Sequence, residues 1–223
     1  LQETKVIDEL FPYDAFEALS YSVEAFGQKS YNGVANIIKN GSAKTSKGIR
    51  GFDDPQTRVV STTHEDIRVV NVYVPNGQAV GSEKFAYKLD WLEHLKKMLN
   101  DDLKKYPKMV VLGDFNIAPC DEDVHDPEKW RDKILCSDQE RTIFEQILSM
   151  GFHDSFRLFE KGAGFHSWWD YRTAAYTKEL GLRIDLLLVS DELKPLCKKS
   201  YIDEKPRWLE KPSDHTPVVV ELG

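Results

Sequence analysis

The sequence predicts a layered α/β (α+β) fold, a four-layered α/β sandwich in which two mostly antiparallel sheets pack face to face with helices outside. Three observations carry this expectation. Short β-branched runs recur along the chain, one long stretch has a helical apolar stripe, and helices fall between blocks of strands. Elements with one apolar face must bury it against another layer.

Residues 31–39 (YNGVANIIK) are apolar and partly β-branched, and are predicted to be a strand. Residues 58–63 (RVVSTT) and 67–74 (IRVVNVYV) are two more, joined by the short link His64-Glu65-Asp66 into a hairpin. Residues 83–106 read as a long amphipathic helix. Phe85, Leu89, Leu92, Leu95 and Leu99 recur at steps of three and four, and Pro107 stops the run. Residues 109–112 (MVVL) are a short strand covered on both faces. Ser137 with Glu140 is a capping-box pattern that opens a second helix over 138–150, and Gly151 suits its end. Residues 184–189 (IDLLLV) form another buried strand, and 200–203 and 218–221 are short ones.

The chain of 223 residues is read as a single domain spanning 1–223, with 41% hydrophobic and 30% charged residues, an ordinary globular balance. No apolar run reaches the roughly 18 residues of a membrane helix, so no membrane partner is expected. The net charge of −7 argues against nucleic acid in bulk, but phosphate binding depends on a local basic patch rather than the sum. Cys120, Cys136 and Cys197 are far apart and form no CxxC pair. They read as free thiols in a reducing cytosol, hence a cytoplasmic protein, and a monomer is expected. No targeting segment is visible, and the chain opens without Met.

Four polar clusters carry candidate chemistry. Glu3 is a carboxylate that suits a hard cation such as Mg²⁺, or is a solvated terminal side chain. Gly113-Asp114-Phe115-Asn116 directly follows a buried strand. Gly, Asp and Asn favour a tight turn in any protein, yet Asp114 can also take a proton from water while Asn116 holds that water or a phosphate oxygen. Arg183-Ile184-Asp185 puts an acid at the entry of an apolar strand, where it needs a partner. Arg183 is one candidate for that partner, and an imidazole is another. Ser213-Asp214-His215-Thr216-Pro217 precedes the last strand. It is either a plain loop turn or a carboxylate beside an imidazole that Asp185 orients. No nucleophilic Ser or Cys motif and no Walker loop is present, so the set points to metal-assisted hydrolysis by an activated water.

These clusters, with LQETK at 1–5, NVYVPNG at 71–77, GDFN at 113–116, SWWDYR at 167–172, RID at 183–185 and SDH at 213–215, resemble exonuclease III and its relatives, the abasic-site endonucleases of the deoxyribonuclease I-like superfamily. The order and spacing match along essentially the whole chain. GDFN and SDH alone indicate only the superfamily, which includes lipid and inositol phosphatases; the WWDYR and YVPNG runs narrow it to the DNA-repair branch.

The resemblance implies roles. Glu3 ligates Mg²⁺ or Mn²⁺, and Asp214 supports the metal side. Asp114 deprotonates the attacking water, Asn116 bonds the scissile phosphate or orients Asp114, and Tyr73 approaches the phosphate. Asp185 holds His215, which faces the phosphate. Asn76, Trp168 and Arg172 contact substrate, Trp168 by lining a pocket for an abasic sugar while Trp169 packs. Lys84, Lys88 and Arg172 are candidate DNA-backbone contacts, with a solvated helix face the alternative for the two lysines. The partner implied is double-stranded DNA with abasic sites or 3′ ends. By the resemblance this sequence lacks the family's first strand and helix, a unit of roughly 25–30 residues, and is either a clipped sequence or a damaged variant. The alternatives are a superfamily phosphoesterase acting on a lipid or inositol phosphate, and a DNA-binding remnant without turnover.

Overall fold

The computed structural model describes residues 1–223. Along the chain, helix α1 (Tyr13–Glu17) leads into a hairpin of β1 (Tyr21–Phe26) and β2 (Val34–Lys39). Next come β3 (Lys44–Lys47), β4 (Val59–His64) and β5 (Ile67–Tyr73), then the long helix α2 (Glu83–Leu103) and β6 (Met109–Asp114). The second half holds α3 (Pro127–Trp130), α4 (Asp138–Leu148), β7 (Phe152–Asp154), α5 (Ser155–Phe159), β8 (Asp185–Ser190), β9 (Cys197–Ile202) and β10 (Val218–Leu222).

Six strands form one mixed sheet in the order β3-β4-β5-β6-β8-β7. Only β5 and β6 run parallel, joined by the crossover through α2; every other pairing is antiparallel. The alternation of side chains along a strand assigns the two faces. Met109, Val111, Leu186 and Leu188 join Trp91, Leu92, Leu95 and Leu99 of α2 and Phe144 and Ile147 of α4 in the main core. Val110, Leu187 and Val189 point the other way, onto Val218 and Val220 of β10. Each fully buried aliphatic side chain here contributes about 1.5–3 kcal/mol.

The expected second sheet is present as two separate antiparallel pairs, β1-β2 and β9-β10, on the face opposite α2. The layering expected from the sequence is therefore observed, with the second layer split. The helix caps follow local chemistry. Ser82 Oγ accepts from Phe85 N to start α2, and Ser137 and Glu140 form a reciprocal capping box on α4. Three strands escaped the sequence reading. β1 carries a weak alternation, β3 (KTSK) has no apolar residue, and β7 is three residues long.

Arg183 does not pair with Asp185. Its fully buried guanidinium reaches Asp123 at 2.6 Å and Asp154 at 2.7 Å, and so ties the 120–124 turn to the end of β7. The expectation of a local ion pair at 183–185 is corrected. Arg183 precedes β8, outside the ladder, and its guanidinium is taken by the buried Asp123 and Asp154, leaving Asp185 for the cleft.

Candidate active site

The Gly113–Asn116 segment turns sharply where β6 meets β5. A Cβ on Gly113 would sit 1.9 Å from the Val72 carbonyl oxygen, and its φ is +138°, so only glycine fits. Asn116 lies in the left-handed region at φ 48°. Its backbone N–H donates to Asp114 Oδ1 at 2.8 Å, and its amide donates to Asp114 Oδ2 at 3.1 Å and to Val74 O at 3.0 Å. Asn76 Nδ2 in turn donates to Asn116 Oδ1 at 3.0 Å. The turn and the polar cluster are thus one object.

Asp185 opens β8 directly opposite Asp114 in the β6–β8 register. His215 Nδ1 lies 2.9 Å and 3.1 Å from the two Asp185 oxygens. Ser167 Oγ donates to Asp185 Oδ2 at 2.7 Å and accepts from the Ile184 and Asp185 amides, which fixes the carboxylate. Burial pulls the His215 imidazole down, but the charge and hydrogen bond of Asp185, with Asp114 and Asp214 behind them, raise it to about 10. Burial pushes the Asp114 carboxyl up to about 7, with His215 pulling down and Asp185 pushing up. At neutral pH the site holds an imidazolium beside an acid poised near its titration point.

Glu3 is held with φ 52°, a left-handed conformation uncommon for glutamate. It accepts a hydrogen bond from Tyr73 Oη and pairs with Lys5 Nζ at 2.7 Å. Burial works to raise its carboxyl, yet the hydrogen bonds from Lys5 and Tyr73 bring it below the usual glutamate range. Burial and Glu3 push the Tyr73 phenol well up, so it stays a neutral donor. Asp214 Oδ2 accepts from Trp168 Nε1 at 3.1 Å.

A cleft of about 560 Å³ is lined by Glu3, Lys5, Asp114, Asp185, Asp214 and His215, among others. Tyr73 reaches it through Glu3, and Asn76 and Asn116 through Asp114. Trp168 sits half-buried beside it, bridged to His215, while Trp169 is buried and packs against Tyr176. Arg172 is exposed and ion-paired with Asp170 at 2.9 Å. Lys84 is on the solvated face of α2. Lys88 is fully buried, which rules out the backbone contact considered for it.

For a hard cation the donors in the cleft are carboxylate oxygens, the right chemistry. No three His, Cys, Asp or Glu side chains converge into a cage. Mg²⁺ does not require one, since it keeps several waters and takes one or two carboxylates. The Lys5 ammonium, bonded to Glu3 and drawn by Asp214, stands where such a charge is welcome. The donor set therefore fits a divalent ion held by Glu3 with Asp214 nearby.

Ser167 and Lys5 lie in the quoted motifs but were not singled out from sequence. A Ser before two tryptophans and a Lys two residues after Glu3 have no local signature of their own.

A sequence profile of the Endonuclease/Exonuclease/phosphatase family matches residues 1–215. The chain belongs to that family. Within it, the chain groups with exonuclease III enzymes, which are nucleases and hydrolases. An exodeoxyribonuclease III of Haemophilus influenzae is 35% identical over 100% of this chain and 88% of its own length. The 3′ phosphatase NExo from Neisseria, solved bound to a product DNA hairpin, superposes with a TM-score of 0.97 at 43% identity, covering 100% of this chain and 87% of that one. An AP endonuclease from Archaeoglobus fulgidus gives 0.93 at 36% identity, with 99% and 86% covered.

Proposed function

We propose that this member of the exonuclease III group is a DNA-repair phosphodiesterase. It hydrolyses double-stranded DNA 5′ to abasic sites and removes nucleotides or phosphate from 3′ ends. The observation that carries the reading is the convergence of Asp114, Asp185 and His215 in one cleft, with His215 Nδ1 2.9 Å from Asp185 and Asp114 across the register from it.

In this reading Asp114 accepts the proton of the attacking water, and its carboxyl near neutrality suits a general base. Asn116 orients Asp114 through two hydrogen bonds, and Asn76, which donates one amide proton to Asn116, offers the other to a phosphate oxygen. His215, kept cationic by Asp185, stabilises the charge developing on the phosphoryl oxygens. Tyr73 donates toward Glu3 or a bound phosphate. Glu3 and Asp214 would hold Mg²⁺ or Mn²⁺, which supplies Lewis-acid polarisation of a phosphoryl oxygen when bound. Trp168 presents an aromatic wall beside His215 for a sugar without its base, and Arg172 contacts the DNA backbone.

The test incubates this 223-residue chain with Mg²⁺ and an end-labelled abasic duplex, with a 3′-phosphate duplex and a phosphoinositide in parallel. Incision 5′ to the abasic site and release of the 3′ phosphate are expected. Turnover of the lipid alone, or duplex binding without any cleavage, overturns the proposal.

A further inference from the structure

We propose that Lys88 is a positioning residue for this hydrolysis: from inside α2 its ammonium holds the backbone carbonyls of Asn76 and Asn116, and with them the two asparagine side chains next to Asp114. The inference rests on the functional reading above and adds a residue that touches no substrate.

Lys88 is fully buried, and so is Glu140. A buried ammonium is costly unless all its protons are taken. Nζ donates to Asn116 O at 2.7 Å, to Asn76 O at 3.2 Å and to Glu140 Oε1. Glu140, in the first turn of α4, is itself pinned by the turn that leads into that helix, since its oxygens accept from the amides of Leu135 and Ser137, each at 3.1 Å. The ammonium is therefore a fixed point set by two helices, and both of its remaining protons go to the loops that carry the site.

A pair serving stability alone has no need of those loops, and well-packed apolar side chains often do as well or better in its place. The loop conformations are the kind that need holding. Asn116 is left-handed at φ 48°, and Gly77, next to Asn76, has φ +88°. A Cβ on Gly77 would meet Lys88 Cδ at 3.0 Å and Ile134 Cδ1 at 2.9 Å, so the glycine makes room for the lysine stem. Moving the Asn116 carbonyl moves the N–H and amide that bond Asp114.

The charge acts in the same place. Asp114 faces His215 from the loop before β10, Asp185 from β8 and Tyr73 from β5, and Lys88 is the cation behind it on the helix side. Burial raises the Asp114 carboxyl, and Lys88 is one of the groups opposing that rise.

The experiment uses two double variants. Lys88→Met/Glu140→Gln removes both charges and strands neither. Lys88→Gln/Glu140→Gln keeps an uncharged donor one atom shorter than lysine, and carries the same test if the first variant does not fold. On an abasic duplex with Mg²⁺, kcat is expected to fall about 10–10²-fold, the scale of a small misplacement of reacting groups. KM should be unchanged, and the second variant should recover part of the loss. Carboxyl-carbon NMR should show Asp114 titrating at higher pH in both than in wild type, a shift that lost stability alone does not produce. A folded variant with wild-type kcat and an unmoved Asp114 titration overturns the proposal, as does a loss confined to KM. The titration needs no turnover. If wild type fails to cleave, the functional reading falls, and the Asp114 titration still decides the role of Lys88.

Discussion

Asp114 and Asp185 are cross-strand partners, one ending β6 and the other opening β8. Like charges directly opposite each other are destabilising in a sheet. The structure answers with His215, whose Nδ1 sits 2.9 Å from Asp185 and whose cationic form both carboxylates favour. Asp185→Asn should release this clamp. The imidazole should titrate well below about 10, and cleavage at pH 7 should fall by about 10²–10⁴. Histidine NMR and single-turnover rates check both outcomes, and unchanged values would remove Asp185 from the mechanism.

The same pair makes a stability prediction. His215 titrates higher in the folded state than the 6.5 expected when unfolded, so folding favours its protonated form. That contribution is fully present below about pH 6.5 and is lost as pH rises through about 10. Urea unfolding should show wild type losing more stability between pH 6 and pH 10 than Asp185→Asn does, and equal losses would contradict the assignment.

Asp114 governs the acid side of the rate profile. A base must be ionised to accept a proton, and burial holds this carboxyl up at about 7. The cleavage rate is expected to climb with pH through neutrality. Asp114→Asn should abolish that limb and lower the rate by about 10²–10⁴. A variant retaining the wild-type rate and limb would exclude Asp114 as the base.

Local patterns made much of this legible. The stripe from Phe85 to Leu99 gave α2, the Ser137–Glu140 box gave the start of α4, and the β-branched runs gave β4, β5, β6 and β8. Gly113-Asp114-Phe115-Asn116 was recognisable because its turn chemistry is intrinsic to those residues. What stayed hidden depends on partners remote in sequence. Asp123 and Asp154 lie 60 and 29 residues from Arg183, and no spacing rule links them. Glu3 has no local signature that separates a ligand from a solvated terminal carboxylate, and the resemblance decided between them. Lys88 was the avoidable miss, since positions 85, 88 and 92 share one helical face and a lysine inside an apolar stripe is a buried charge in search of acceptors.

Arg183 offers a test of the scaffold apart from the chemistry. Its guanidinium neutralises Asp123 and Asp154, which are both buried. Arg183→Met would leave two carboxylates inside with only Arg157 near Asp123. Breaking a buried pair in this way costs about 3–5 kcal/mol. Urea denaturation should show a lower midpoint by that measure, and a loss under about 1 kcal/mol, the scale of a surface pair, would show that the network is not a structural anchor.

The metal assignment turns on Glu3. A ligand that binds only the folded chain raises its melting temperature with concentration. Mg²⁺ titrated into wild type should therefore raise Tm before any substrate is added. Glu3→Gln leaves a neutral amide, a weaker donor for a hard cation, and also removes the partner of Lys5 and Tyr73. The variant should need more Mg²⁺ for the same increment in Tm and for half-maximal cleavage. Lys5→Met should act in the opposite direction on the binding curve, because the ammonium that competes for the Glu3 carboxylate at 2.7 Å is gone. Superimposable Mg²⁺ titrations for wild type and Glu3→Gln would place the ion elsewhere in the cleft.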